Sequence, residues 1–418
     1  MEKFAVQGGR PLHGSLRIHG SKNAALPILA ATVLAEGQYS IQDVPHLTDI
    51  SVMLQILNAL GAKASHNNSV VTIDTSSLFS SHIPEDLMGQ MRSSIFLMGP
   101  MLARFGEVTI YPPGGCAIGE RKIDLHIHGL KALGAHFSST ENYIYCQADR
   151  LIGADIDLAF PSVGATENIM MAATLAQGTT TINNAAKEPE IVDLQNFLNR
   201  MGAKVQGAGT SKIIIEGVAR LDAIHYQVIP DRIVAGTMLL AASVAGGSLT
   251  IENVIADHIK PLIEVTRQCG VEIDYARDII NVARKGPVHA VPLITTGPYP
   301  GFPTDMQAQL MTFLSLTRGS SIIRETIFDS RYRHVDALRK MGAKIEIMKN
   351  EAHIEGTASL RGAEVDATDL RAGAAMILAG LAAEGTTLVS QVHHIDRGYE
   401  RIEEQLQSIG ACIKRIQT

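Results

Sequence analysis

Six stretches of the chain are apolar on almost every helical face: 24–36, 94–105, 169–177, 234–246, 306–318 and 372–384. A helix without a polar face has to be buried, so each stretch predicts a helix inside a domain core. Each is followed by a glycine, namely Gly37, Gly106, Gly178, Gly247, Gly319 and Gly385. Glycine just past a helix supplies the left-handed residue that ends it. A short β-like run comes next, such as Val108-Thr109-Ile110 or Ser248-Leu249-Thr250-Ile251. A second helix then runs to an apolar residue followed by Gly-Ala or a near variant; residues 52–60 are the clearest case. Two short alternating segments close the pattern and read as a hairpin, as in Lys204-Val205-Gln206 and Lys212-Ile213-Ile214-Ile215-Glu216. A strand such as Leu16-Arg17-Ile18 precedes the first helix.

The pattern is one unit, β-α-β-α-β-β, repeated six times. The Gly-Ala glycines are Gly61, Gly134, Gly202, Gly270, Gly342 and Gly410, so the repeat is roughly 70 residues long. Six units nearly exhaust the chain, and three plus three would give two domains of ordinary size. The spacing between the two marker glycines is longest in the second unit, from Gly106 to Gly134. Its extra residues are Pro112-Pro113-Gly114-Gly115-Cys116-Ala117-Ile118-Gly119-Glu120-Arg121-Lys122. An insertion in a loop of a repeated scaffold points to function, because loops tolerate what packing does not.

Composition narrows the class. Of 418 residues 46 % are hydrophobic and 19 % charged, a globular profile. The longest apolar runs are too short to span a bilayer. The N-terminus lacks the apolar core of a signal peptide, so a cytoplasmic protein is expected. A net charge of −6 argues against a nucleic-acid binder acting through overall positive charge. Focused cations could still hold a small anion. The four cysteines (116, 146, 269, 412) form no CxxC pair and no zinc-ligand spacing. His126-x-His128 reads as a polar stripe rather than a metal pair.

The repeat sorts the candidate chemistry. Cys146, Cys269 and Cys412 occupy scaffold positions and read as small apolar fillers. Cys116 alone has no scaffold role, and Arg121 and Lys122 beside it would favour its thiolate. The starts of the six apolar helices are polar. Capping explains Thr166, Thr304 and Thr368. It does not explain Lys22, Arg92, Arg232 and Arg371, because the helix dipole opposes a cation there unless an anion sits between. An anion-binding cleft between the halves is expected, lined by Lys22, Arg92, Arg121, Arg371 and Arg397. Asp305 and Asp369 hold equivalent positions in units five and six; either could be a general base or a helix cap. Neither a Walker A loop nor a strand-linked GxGxxG is present.

Five separated motifs carry a resemblance that covers the whole chain: Gly20-Ser21-Lys22-Asn23-Ala24-Ala25-Leu26-Pro27, Pro113-Gly114-Gly115-Cys116-Ala117-Ile118-Gly119, Arg121-x-x-Asp124-Leu125-His126, Pro303-Thr304-Asp305-x-Gln307 and Asp369-Leu370-Arg371-Ala372-Gly373. In this order they resemble the bacterial UDP-N-acetylglucosamine 1-carboxyvinyltransferases. The resemblance implies the enolpyruvyl transferase fold, a two-domain inside-out α/β barrel of the six repeats. One domain would span 22–229 and the other 1–21 plus 230–418, with the active site between them and the Cys116 loop as a lid. It implies transfer of the enolpyruvyl group of phosphoenolpyruvate to the 3-hydroxyl of UDP-N-acetylglucosamine, the first committed step of peptidoglycan synthesis. These two small molecules would be the partners, with no metal and no cofactor.

By motif, the resemblance puts Lys22, Asn23, Arg121 and Arg397 on phosphoenolpyruvate. It puts Arg92, Arg121, Lys122, Ile123, Asp124, Leu125, Ser162, Val163, Gly164, Asp305 and Ile327 on the UDP-sugar, with Arg331 and Arg371 as further cleft residues. Cys116, Asp305, Lys22, Asp369 and Arg397 form the catalytic set. Asp305 would take the proton of the sugar hydroxyl. Cys116 would act as acid towards the methylene carbon, and can form a covalent adduct with phosphoenolpyruvate. Glu120 and Lys122 stand where familiar members have Ala and Pro, which hints at a second paralogue. The nearest rival is 5-enolpyruvylshikimate-3-phosphate synthase, which lacks the cysteine loop. A non-catalytic nucleotide-sugar sensor is the alternative outside enzymes.

Overall fold

The structure is a computed structural model and describes residues 2–112, 114 and 122–417. The chain divides into two compact units, residues 2–19 with 230–417 and residues 20–112, 114 and 122–229. The six apolar stretches form the central helices α1 (Lys22–Ala31), α2 (Met98–Phe105), α3 (Val163–Ala173), α4 (Arg232–Ala245), α5 (Gln307–Leu314) and α6 (Leu370–Ala382). Every residue of α4 from Arg232 to Val244, and of α6 from Arg371 to Leu381, is buried. At about 1.5–3 kcal/mol for each fully buried large apolar side chain, these helices carry the core. In the 230–417 unit α4, α5 and α6 pack on one another. In the 20–229 unit α2 packs on α3, and the 3-10 turn Arg92–Leu97 packs on both α1 and α3.

Around the helices lie sheets of one repeated order. A strand runs parallel to the strand that follows a central helix, and a hairpin completes the sheet. Thus Asp155–Asp157 pairs with Thr179–Asn183, then Lys212–Glu216, then Lys204–Gln206. Alternation fixes the buried face: Ile213 and Ile215 point inward while Lys212, Ile214 and Glu216 face solvent. In the sheet of Glu107–Ile110, Ile144–Gln147 and His136–Ser139 the parallel member shrinks to the bridge of His82 with Thr109. Helices inside and sheets outside make each unit an inside-out α/β barrel. Among the described residues no helix is long and apolar enough to cross a membrane.

Three sequence expectations change. The residues that end helices in the left-handed region are mainly the Gly-Ala glycines, with φ between 98° and 105°. At each, the following amide bonds back five residues, as Ala62 N does to Leu57 O and Ala411 N to Leu406 O, the hydrogen bond of a Schellman cap. Of the other glycine set only Gly106 directly caps its helix; α3 has already ended at Ala173. The strands are also shared differently. Leu12–Arg17, ahead of α1, pairs in parallel with Gly247–Glu252 of its own compact unit rather than with a strand of the first repeat, whereas His225–Gln227, ahead of α4, pairs with Gln38–Gln42. The sixth repeat lacks its own hairpin strand, and Glu2–Gln7 supplies it between Thr386–Ser390 and Cys412–Gln417. Arg415 bonds Glu2, Asp396 and Glu403, and its guanidinium lies 4.7 Å from the Phe4 ring. This ties both ends of the chain to the turn that carries Arg397.

Candidate active site

The helix caps are not the threonines. Ser21 and Ser162 accept from Ala24 N and Ala165 N, Asp231 from Ile233 N and Val234 N, and Asp369 from Arg371 N and Ala372 N. Thr166 instead donates to the Ser162 carbonyl and accepts from Ala186 N, and Thr304 donates to Glu325. The α3 helix begins at Val163, six residues before the expected start, which places Ser162, Val163 and Gly164 at its N-terminal end.

In the 20–229 unit, Lys22 opens α1 with its Nζ 3.1 Å from Asp49 Oδ2. Asp49 sits in the first turn of the helix Thr48–Ala59. Both side chains are under a tenth exposed, so the buried ammonium has a buried counter-charge. Arg92 donates to the Lys122 carbonyl at 3.2 Å. Lys122 and Ile123 lead into the helix Asp124–Ala132, whose His126 is buried. Asn168 of α3 brackets these pieces: its Nδ2 bonds Ile95 O and His126 Nδ1, and its Oδ1 accepts from Gly99 N. A side chain on Gly164 would press against His126 and Phe96. The structure therefore gathers Arg92, Lys122–Leu125 and Ser162–Gly164. The helix puts His126 and His128 on different faces, His126 buried against Asn168 and His128 exposed, so the two form no polar stripe. Cys116 and Arg121 lie outside the described residues.

In the 230–417 unit the two candidate aspartates separate. Asp369 caps α6. Asp305 lies in the 3-10 turn Thr304–Met306 ahead of α5; Arg331 Nη2 reaches its Oδ1 and Arg371 Nη2 its Oδ2, each at 2.9 Å. Asp305 keeps 31 % of its side chain exposed, against 3 % and 5 % for the two arginines. The carboxylate is thus partly open while the cations that hold it are buried. Burial opposes the Arg371 charge, but Asp305, Tyr399 and Asp231 offset it and hold its pKa above the ordinary value. Where the sequence asked for an anion at a helix start, the protein itself supplies one, at Lys22 and again at Arg371.

Polar side chains in otherwise apolar helices were the signal left unread. The Tyr399 hydroxyl is shared by Thr237 of α4 at 3.0 Å, Gln309 of α5 at 3.1 Å and Arg371 of α6 at 3.4 Å. His334, wholly buried beside Arg331 and Asp369, is pushed by burial down to about 4. Arg397 closes the 3-10 turn Val392–Arg397, which packs on α6, and Gly398 leaves no room for a side chain against Leu370. Ile327 follows Glu325 in the loop that carries Arg331. Asn23 is half-buried beside Lys22.

Comparison with known proteins decides the family. Residues 6–406 match the model of EPSP synthase (3-phosphoshikimate 1-carboxyvinyltransferase). Over the full length of both chains, the protein is 50 % identical to UDP-N-acetylglucosamine 1-carboxyvinyltransferase 2 of Caldanaerobacter subterraneus subsp. tengcongensis and 51 % identical to that of Carboxydothermus hydrogenoformans. The chain belongs to the UDP-N-acetylglucosamine 1-carboxyvinyltransferases. Among solved structures, the enolpyruvyl transferase NikO from Streptomyces tendae superposes with a TM-score of 0.91 at 24 % identity, covering 100 % of this chain and 99 % of that one. EPSP synthase of Acinetobacter baumannii superposes at 0.78 with 18 % identity, covering 100 % of both. Both carry the same fold, the enolpyruvyl transferase fold expected from the sequence.

Proposed function

We propose that the protein transfers the enolpyruvyl group of phosphoenolpyruvate to the 3-hydroxyl of UDP-N-acetylglucosamine, releasing phosphate, in the first committed step of peptidoglycan synthesis. The observation that carries this reading is half-identity, end to end, with transferases of that name, joined to an accessible carboxylate held by two buried arginines. The reading includes the second-paralogue character of those relatives and a cytoplasmic setting.

The chemistry is addition followed by elimination. Protonation of the methylene carbon, assigned to Cys116, leaves an oxocarbenium-like centre. The sugar oxygen attacks it as Asp305 takes the hydroxyl proton. Loss of a methyl proton then expels phosphate and restores the double bond. Asp369 and Arg397 complete the catalytic set. Lys22, Asn23, Arg121 and Arg397 bind the phosphate and carboxylate of phosphoenolpyruvate; fixed cations both orient it and stabilise developing charge. Arg92, Lys122–Leu125, Ser162–Gly164 and Ile327 serve the UDP-sugar. Lys22 is suited to its role because Asp49 holds the ammonium in place. Asp305 is suited to its role because two buried guanidinium groups fix its position while part of its side chain stays exposed.

Inorganic phosphate release tests this directly. Release with phosphoenolpyruvate and UDP-N-acetylglucosamine, and none with shikimate 3-phosphate in its place, is expected. Release with shikimate 3-phosphate alone, or binding of the UDP-sugar without turnover, would overturn it.

A further inference from the structure

Glu325 is a buried carboxylate, 3 % exposed, and every hydrogen bond the structure gives it comes from a neutral donor. Its Oε1 accepts from Thr296 Oγ1 at 2.9 Å, Ile327 N at 2.8 Å and Phe328 N at 3.3 Å, and its Oε2 from Thr304 Oγ1 at 3.0 Å. Its own backbone is fixed on both sides by Asn350, whose carbonyl accepts from Glu325 N and whose Nδ2 donates to Glu325 O. Removing a carboxylate from water is costly unless its lone pairs are satisfied, and here four donors meet the roughly four acceptor sites an ionised carboxylate offers.

Those donors belong to the parts that carry the sugar-side chemistry. Thr304 immediately precedes Asp305, and its carbonyl accepts from Arg331 Nη2 at 3.2 Å. Arg331 in turn holds Asp305 Oδ1 and lies with its guanidinium 5.8 Å from the Phe328 ring. Ile327 is the residue assigned to the sugar. The contacts form a closed circuit: Glu325 to the Ile327–Phe328 backbone, Phe328 to Arg331, Arg331 to Asp305 and the Thr304 carbonyl, and the Thr304 hydroxyl back to Glu325. The strand end at Thr296 is locked into it, since Thr326 N and Oγ1 bond Thr296 Oγ1 and O.

We propose that Glu325 is a positioning residue for the sugar side of the reaction, the carboxylate that sets the turn bearing Asp305 and the loop bearing Ile327 and Arg331 in register with each other. The proposal rests on the assignment of Asp305 and Ile327 to the UDP-sugar. A carboxylate fits the site best, because four donors converge on its two oxygens and glutamine offers only one acceptor oxygen. Glutamine can still serve the three donors on Oε1 and donate to Thr304 Oγ1, so it should restore much of the function.

The test is steady-state kinetics of Glu325→Ala, Glu325→Gln and Thr304→Val, with thermal unfolding of each. For Glu325→Ala, kcat is expected to fall at least about tenfold and KM for UDP-N-acetylglucosamine to rise several-fold. KM for phosphoenolpyruvate should stay within about twofold, because none of the residues assigned to it is in this circuit; a split of this kind separates positioning from general loss. Glu325→Gln should recover to within about fivefold of the parent. Thr304→Val keeps volume and backbone while deleting one donor, and should show the same split at smaller size, so it decides the matter if Glu325→Ala does not fold. Unchanged kinetics, or equal losses towards both substrates with no recovery by glutamine, would overturn the proposal. The parent enzyme in the same assay reads the activity itself, so failure of that assignment shows separately.

Discussion

Arg371 Nη2 lies 2.9 Å from Asp305 Oδ2, joining the first turn of one central helix to the turn that precedes another. Behind it, Nη1 of the same guanidinium reaches the Tyr399 hydroxyl. Lysine keeps the charge but offers a single point of attachment, so it cannot hold both. Arg371→Lys should lower kcat by roughly tenfold to a hundredfold. Asp305→Asn, which removes the proposed general base, should cost about 10²–10⁴-fold. Phosphate release under saturating substrates checks both, and an Arg371→Lys enzyme with parental kcat would show that the bridge to Tyr399 is dispensable.

The Lys22–Asp49 pair is buried on both sides. Removing one partner of such a pair strands the other charge and costs up to about 3–5 kcal/mol. Asp49→Ala should therefore lower the unfolding free energy and raise KM for phosphoenolpyruvate. The double variant Lys22→Met with Asp49→Leu should regain most of the stability and none of the activity. Denaturant unfolding beside phosphate release measures both halves.

Glu167 of α3 is fully buried, and both of its carboxylate oxygens lack a hydrogen-bond partner among the described residues. Burial, with Glu190 and Glu188 nearby, holds its pKa well above the usual 4.5. The folded protein thus binds a proton that the unfolded chain releases above about pH 4.5. Stability from this group is full below that pH and is lost as pH rises towards the folded value, by up to about 1.4 kcal/mol per pH unit. Glu167→Gln removes this slope, so its stability relative to the parent should grow between pH 4.5 and 8. Asp193, raised by burial to about 6, adds the same sign in both proteins. Parallel unfolding curves across that range would mean that Glu167 is ionised in the fold.

Cys116 should be the site of attack by fosfomycin-type epoxides, because thiolate character follows the cations beside it in sequence. Cys116→Ala should abolish covalent inactivation. Mass spectrometry of the treated protein checks this, and an adduct formed equally in the variant would remove Cys116 from the assignment.

Much of the architecture was legible because the six central helices are apolar on almost every face and such helices have to be buried. The start of α3 was not, since Pro161 ahead of Ser162 and Gly164 in the first turn look like loop; Ser162 caps the helix there all the same. Glu325 was equally silent. It follows a strand with nothing around it in sequence to mark it, and its four donors come from residues 296, 304, 327 and 328.

By itself, the sequence determined the repeated unit, the six buried helices and the Gly-Ala helix ends, because periodicity and backbone freedom are local properties. Only the tertiary structure decided which sheet each strand joins. Alternation shows that Leu12–Arg17 is a strand but not that its partner is Gly247–Glu252, and nothing local says that Glu2–Gln7 completes the last repeat. It also gave different partners to two aspartates that occupy equivalent positions. Asp369 bonds the first amides of its own helix, whereas the 3-10 turn around Asp305 directs that carboxylate to two arginines from elsewhere in the fold. Hydrogen-bond partners distant in sequence are settled by packing, and packing is what a linear pattern does not contain.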